Sequence, residues 1–367
     1  MNDELTGFIG DWLIPPPGVT IADLLEERTW TQKELASRLD YTPKHVNLLI
    51  KGDAGINEET ALKLERVLGG TAGFWLTREI KYREALARKE EFSSLKAYIG
   101  WLKQLPLNDM IKFGWIRHYS DKSQQVAACL RFFGVASVEV WEEKWMRNLA
   151  AFRSPTIQEK QKGAVAAWIR QCEFLAQAIV CKPYDAQRFK DVLQMVRKLT
   201  KEENMEKITK ELKKLCADAG VAISLVPAPK GCSAHGATCW LGPDKALLML
   251  SDRYKSNDQF WFSFFHEAAH ILYHAKRIFY IDIEGQLGTD EEEEANNFAT
   301  NILIPSEYAT HLHEIAQNKN SVIKFAKTVG IAPGIVVGRM QKEQILPWKT
   351  LLNNLKTKIE FNYEGSF

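Results

Sequence analysis

No stretch of this 367-residue chain approaches the apolar length of a membrane span, and no signal-peptide pattern is visible in MNDELTGFIGDW. The expectation is a cytoplasmic protein with no membrane partner. CxxC pairs are also missing. Six cysteines stand at 129, 172, 181, 216, 232 and 239, a spacing that fits a reducing compartment and gives no disulfide framework. Excess positive charge is lacking at the N-terminal end, where residues 1–90 hold 12 Lys or Arg against 15 Asp or Glu. That balance excludes a broad electrostatic footprint for nucleic acid and leaves room only for a small local patch. Internal repeats and low-complexity linkers are absent too. What remains is a chain long enough for two or three domains, with 46% apolar residues, ample for full cores.

Chemistry is concentrated in WFSFFHEAAHILYH, which sets His266, Glu267 and His270 in an HExxH spacing. On a helix, positions i and i+4 lie one above the other, so both imidazoles can aim a nitrogen at one zinc ion. Glu267 then flanks the water as general base. Ser256, Asn257 and Asp258 offer helix N-caps, and Phe260, Trp261, Phe264, Phe265, Ala268 and Leu272 form a face that buries the helix. A structural helix with satisfied core histidines is the bland alternative. Two histidines and a carboxylate on so apolar a segment are three costly polar groups without a task, which favours the metal.

A catalytic zinc needs a third protein ligand. Tyr273 and Lys276 stand where the extended HExxHxxGxxH form wants glycine and histidine, so the ligand comes from elsewhere. TDEEEEANNFATNILIP reads as a second helix with Thr289 as N-cap and Pro305 as stop, its apolar face being Ala295, Phe298, Ala299, Ile302 and Leu303. Glu292 lies on the edge of that face above only Ala295 and Ala299, where a neighbouring helix can approach. It is the expected ligand, with Glu291 and Glu294 as alternatives and Glu293 pointing away. Thr289 with Glu292 also fits a capping box, a purely structural role. Upstream, Val221–Val226 and Ala246–Ser251 read as strands, either of which serves as an edge for substrate-strand addition. GCSAHGATCW, holding Cys232, His235 and Cys239, reads as a glycine-rich loop beside the cleft rather than a second metal site.

These residues resemble the ImmA/IrrE metallopeptidases, whose HExxH is followed by Glu-x-Glu-Ala-Asn-x-Phe-Ala and a Leu-x-Pro close. Here the pattern is carried by HEAAH and then Glu292, Glu294, Ala295, Asn296, Phe298, Ala299, Leu303 and Pro305, within about residues 200–310. The resemblance implies a zincin fold with two histidines and a glutamate on zinc, and a repressor-like regulator as target. One departure is Ala269, where many members have glycine.

A second signature lies upstream. TQKELASRL (31–39) is a short amphipathic helix, Asp40 and Tyr41 turn the chain, and TPKHVNLLI (42–50) follows with Pro43 at N1 behind Thr42. Two such helices make a helix-turn-helix. Leu35, Leu39, Val46 and Leu49 face inward with Ala36 at the crossing, so Lys44, His45 and Asn47 face outward as base or phosphate readers, with Gln32 as a phosphate contact. A helical bundle with polar outer faces is the structural alternative. The run over about residues 13–87, including the Gly52 turn, the Ile56–Leu68 helix and Phe74, Trp75 and Leu76, resembles the HigA type of XRE repressors. That resemblance implies an antitoxin and autorepressor binding operator DNA as a homodimer. Lys51 departs from it, replacing the usual asparagine before glycine.

Residues 91–200 read as helical, with Trp101, Trp115, Trp141, Trp145 and Trp168 as core and Ser154 and Pro155 at a turn. The expected fold class is mainly α and multidomain. It comprises a helix-turn-helix domain (1–90), a helical spacer (91–200), an α+β zincin-like domain (201–310) and a helical extension (311–367). The expected function is a DNA-binding regulator with a zinc peptidase that cleaves a regulator, a toxin partner or itself between about residues 88 and 200. His235, Tyr254, Tyr280 and His274 are the candidate oxyanion stabilisers. The competing class is a non-catalytic repressor whose zincin-like domain senses a partner. Glu267 argues against it, because a structural zinc site needs no base.

Overall fold

The computed structural model describes residues 14–146, 159–253, 255–274, 280–283, 290–315 and 317–359. The chain is mainly helical and divides into two compact units, Met1–Ala97 and Tyr98–Phe367. No single helix among the described residues is long and apolar enough to cross a membrane.

The first unit contains α1 (Pro17–Glu27), α2 (Gln32–Leu39), α3 (Pro43–Lys51), α4 (Glu58–Leu68) and α5 (Ala72–Leu95). Local chemistry sets the ends of the helix-turn-helix pair. The hydroxyl of Thr31 accepts the Glu34 amide at 3.2 Å, and that of Thr42 accepts the His45 amide at 3.2 Å. Between the helices Asp40 adopts a left-handed conformation (φ 57°, ψ 48°), which a short polar side chain tolerates. Gly52 closes α3 at φ 79°, where a Cβ would also lie 2.8 Å from Pro16 and the Tyr82 hydroxyl. Leu35, Ala36, Leu39, Val46 and Leu49 are buried with Ile21, Leu64 and Trp75 in one core, as the periodicity predicts. Arg28 donates to the carbonyls of Val67 (2.9 Å) and Leu68 (2.6 Å), satisfying the end of α4.

The second unit begins with short helices α6 (Leu107–Lys112), α7 (Lys122–Phe133) and α8 (Val138–Trp141). Trp101, Trp115, Trp141, Trp145 and Trp168 are all buried, and Trp101, Phe133 and Trp141 pack edge to face or tilted. The turn expected at Ser154 and Pro155 lies outside the described residues. There follow α9 (Glu159–Gln177), α10 (Ala186–Leu199) and α11 (Met205–Ala217), then a sheet of β1 (Val221–Leu225), β2 (Ala234–Gly242), β3 (Lys245–Leu250) and β4 (Tyr280–Ile283). Between β3 and β4 runs α12 (Asn257–Tyr273). After β4 come α13 (Asp290–Leu303), α14 (Ser306–Ala309), α15 (Lys319–Val329) and α16 (Pro333–Lys342).

Strand order is β1-β3-β2-β4, with β1 parallel to β3 and the other pairs antiparallel. This corrects two expectations. GCSAHGATCW is no loop; most of it forms β2, an inner strand pairing Thr238 with Leu248 and Ala237 with Ile281. Its glycine at 236 marks a close backbone approach inside a strand, not a turn. Nor does either strand read from sequence flank the site as an edge: β3 is internal, β1 is the far edge, and β4 is the edge beyond β2.

The apolar face of α12 is buried through Phe260, Trp261, Phe264, Phe265 and Ala268. It shares one core with Val192 and Leu193 of α10, Leu248 of β3, Ala299 and Leu303 of α13, and Val336 and Met340 of α16. Charged groups then pin the helices. Arg197 of α10 donates to the carbonyls of Ile302, Leu303 and Val329, capping α13 and α15 together. Lys356 holds the buried Asp258 at the start of α12 at 2.6 Å. Thr289, the expected cap of α13, lies outside the described residues.

Candidate functional site

His266, Glu267 and His270 sit on one stretch of α12 at 3%, 0% and 3% exposure. The two imidazoles turn Nε2 toward each other at 3.1 Å. From α13, Glu292 brings Oε2 to 3.2 Å from His266 Nε2 and Oε1 to 3.5 Å from His270 Nε2. Ala295 and Ala299 beneath Glu292 are fully buried, and these small residues let the two helices approach closely. The carboxylates of Glu291, Glu293 and Glu294 do not join this group. Glu294 turns to His274, and Glu293 is exposed.

The donor set fits zinc. Ligand atoms 2.0–2.1 Å from a tetrahedral centre are separated by about 3.3 Å, close to the separations of 3.1, 3.2 and 3.5 Å found here. Among the described residues this is the group of His, Cys, Asp or Glu side chains close enough to hold a metal ion. Burial, with His266 beside it, pushes the His270 imidazole down to about 3. A neutral ring keeps its lone pair available to a metal at any ordinary pH. Burial alone would raise the Glu292 carboxyl, but the contact with His266 Nε2 and the neighbouring imidazoles outweigh it and hold the group below the usual carboxylate range. Each ring is also oriented from behind, His266 through Nδ1 to Asn296 Oδ1 at 3.1 Å and His270 through Nδ1 to His274 Nδ1 at 2.7 Å.

Glu267 is wedged against β2. A Cβ at position 236 would fall 2.5 Å from its Oε1 and 2.7 Å from its Cγ, so only glycine leaves room for this carboxylate. Gly236 and Asn296 are the residues of the site to which sequence reasoning assigned no role. Gly236 lay in a run read as loop, whereas Asn296 stood in the quoted motif without a partner. Cys232 and Cys239 are buried thiols raised by burial, Cys232 to about 12, and form no second metal group with His235. Of the oxyanion candidates, His235 is buried on β2 and His274 lies behind His270. Tyr254 and the Tyr280 side chain lie outside the described residues.

In the helix-turn-helix, Lys44 is exposed and His45 and Asn47 are half-buried. Asn47 Nδ2 donates to Gln32 Oε1 at 3.3 Å, joining the two helices at their outer face. His45 packs edge-on against Tyr41, 4.6 Å between ring centres, and Tyr41 shares a hydrogen bond with Thr60 at 2.9 Å. Three of the four expected readers are therefore steadied from within the unit, and Lys44 extends freely into solvent.

Comparison with known proteins agrees with both halves. Residues 21–75 match the Helix-turn-helix family, and residues 230–340 match the IrrE N-terminal-like domain. Over 75 residues the chain is 31% identical to the Uncharacterized HTH-type transcriptional regulator YddM of Escherichia coli (strain K12), covering 20% of this chain and 80% of that protein. Over 80 residues it is 29% identical to Virulence-associated protein I of Dichelobacter nodosus, covering 22% of this chain and 74% of that protein.

Proposed function

We propose that this chain, which belongs to the HTH-type transcriptional regulators and carries an IrrE N-terminal-like domain, couples operator binding to a zinc-dependent peptidase. In this reading it is a cytoplasmic autorepressor of the HigA antitoxin kind. It binds DNA as a homodimer through Gln32, Lys44, His45 and Asn47 and cleaves a regulator, a toxin partner or its own chain between about residues 88 and 200. The observation that carries the reading is the convergence of His266, His270 and Glu292 at 3.1–3.5 Å beside a fully buried Glu267.

His266, His270 and Glu292 would hold a zinc ion, which would supply Lewis acidity toward water and the scissile carbonyl. Glu267, fixed against the β2 backbone at Gly236, takes the proton from water at its carboxylate and returns it to the leaving amine. Among the described strands β4 lies outermost beside β2, the position at which an extended substrate segment would add to the sheet. Confining the peptidase near DNA-bound proteins raises their effective concentration and so favours a regulatory target.

Glu267→Gln tests the reading, because it keeps size and metal ligands but removes the base. One zinc per chain and wild-type operator affinity are expected to persist, while cleavage falls by about 10²–10⁴-fold. Proteomic comparison of wild-type and Glu267→Gln cells then identifies the substrate. If the variant relieves repression as fast as wild type under every inducing condition, the peptidase is not the switch, and the domain is a non-catalytic sensor.

A further inference from the structure

We infer that His274 and Glu294 form a positioning relay that orients His270 and ties it to a surface charge. The inference rests on the metal reading above. His274 follows the last residue of α12, two helical turns beyond His266, and its side chain is 4% exposed. Its Nδ1 lies 2.7 Å from Nδ1 of His270, and its Nε2 lies 3.2 Å from Oε2 of Glu294, whose side chain is 57% exposed.

The tautomers of this chain follow by elimination. With Nε2 of His270 taken as the metal-binding nitrogen, its ring proton sits on Nδ1, and at 2.7 Å that N–H requires an acceptor. The acceptor is the bare Nδ1 of His274, whose own proton is therefore on Nε2, facing the Glu294 carboxylate. Each contact then has one donor and one acceptor, and the chain ends on a negative charge in water. His266 is held differently, by the neutral amide oxygen of Asn296. Hydrogen bonding to a carboxylate through the far nitrogen makes a ring a better electron donor, so His270 is the stronger of the two imidazole ligands. This places His274 behind the metal centre rather than among the oxyanion donors, and gives Glu294 a task distinct from coordination.

The test uses the full-length protein as wild type and as Glu294→Ala, Glu294→Gln and His274→Ala, each titrated with zinc and with cobalt(II). Glu294→Ala is expected to weaken zinc binding about 10-fold or more and to shift the visible cobalt absorption. Glu294→Gln retains an accepting oxygen without the charge and should fall between it and wild type. By proton NMR of the zinc-loaded protein, His274→Ala should remove the hydrogen-bonded imidazole N–H of His270 and leave that of His266. Glu294→Ala protein with wild-type zinc affinity and an unchanged cobalt spectrum overturns the relay. Glu294 lies at the surface, so this arm stands even if His274→Ala does not fold. Wild-type protein that takes up neither metal overturns the metal reading itself, a distinct result.

Discussion

Helices α3 and α12 treat polar side chains in opposite ways. In α3 the apolar Val46 and Leu49 are buried while Lys44 is exposed and His45 and Asn47 are half-buried, so polar groups meet water or a neighbour within the same unit. In α12 the polar triplet itself is buried, and each member depends on a residue far along the chain: Asn296 and Glu292 for His266, Gly236 for Glu267, Glu292 for His270. A polar group taken out of water without a partner costs several kcal/mol. The comparison teaches that the α3 surface can be altered residue by residue with little effect on folding, whereas the polar residues of α12 are packed as a unit.

The largest expected effect is all-or-none. His266→Ala/His270→Ala should drop zinc from one per chain to none by elemental analysis, leaving operator affinity at the wild-type value. Undiminished zinc would break the comparison and overturn the metal reading. Next comes the core under α3. Leu35, 0% exposed, lies on α2 against α3, and Leu35→Ala should destabilise the first unit by about 2–5 kcal/mol in denaturant melts while zinc content is unchanged. A parallel loss of zinc would show that the two regions do not act separately.

Gly236→Ala sharpens the contrast from the other side. One added methyl forces the Glu267 carboxylate or the β2 backbone to move, at about 1–3 kcal/mol of stability. Cleavage should fall although both histidines and Glu292 are intact, and full activity would remove Gly236 from the site. On α3, Lys44→Ala and Asn47→Ala should each weaken operator binding in gel-shift titrations by about 1–3 kcal/mol. Thermal stability should change by no more than about 0.5 kcal/mol, the smallest effect here. Unchanged affinity and unchanged sequence preference would mean that α3 is not the reading helix.

Sequence by itself determined the local features. Both helices of the helix-turn-helix, with Thr42 and Pro43 at the start of α3 and Leu35, Leu39, Val46 and Leu49 inside, follow from spacing and capping within 20 residues. The same holds for the pairing of His266 with His270, since i and i+4 share a helix face wherever the helix lies. Small residues at 295 and 299 likewise marked the face of α13 that meets α12.

Only the tertiary structure decided what comes from distant segments. β2 escaped notice because Gly231, Gly236 and short polar residues read as loop, yet both faces of the strand are buried and the glycine is dictated by the Glu267 carboxylate 31 residues away. Among four consecutive glutamates, spacing preferred Glu292 and kept 291 and 294 as alternatives. The approach of α13 to α12 turned Glu292 to the two Nε2 atoms and Glu294 to His274. Periodicity records which way a side chain points from its own helix. Which partner it meets depends on how two helices cross, and that crossing is set by the whole core packed around them.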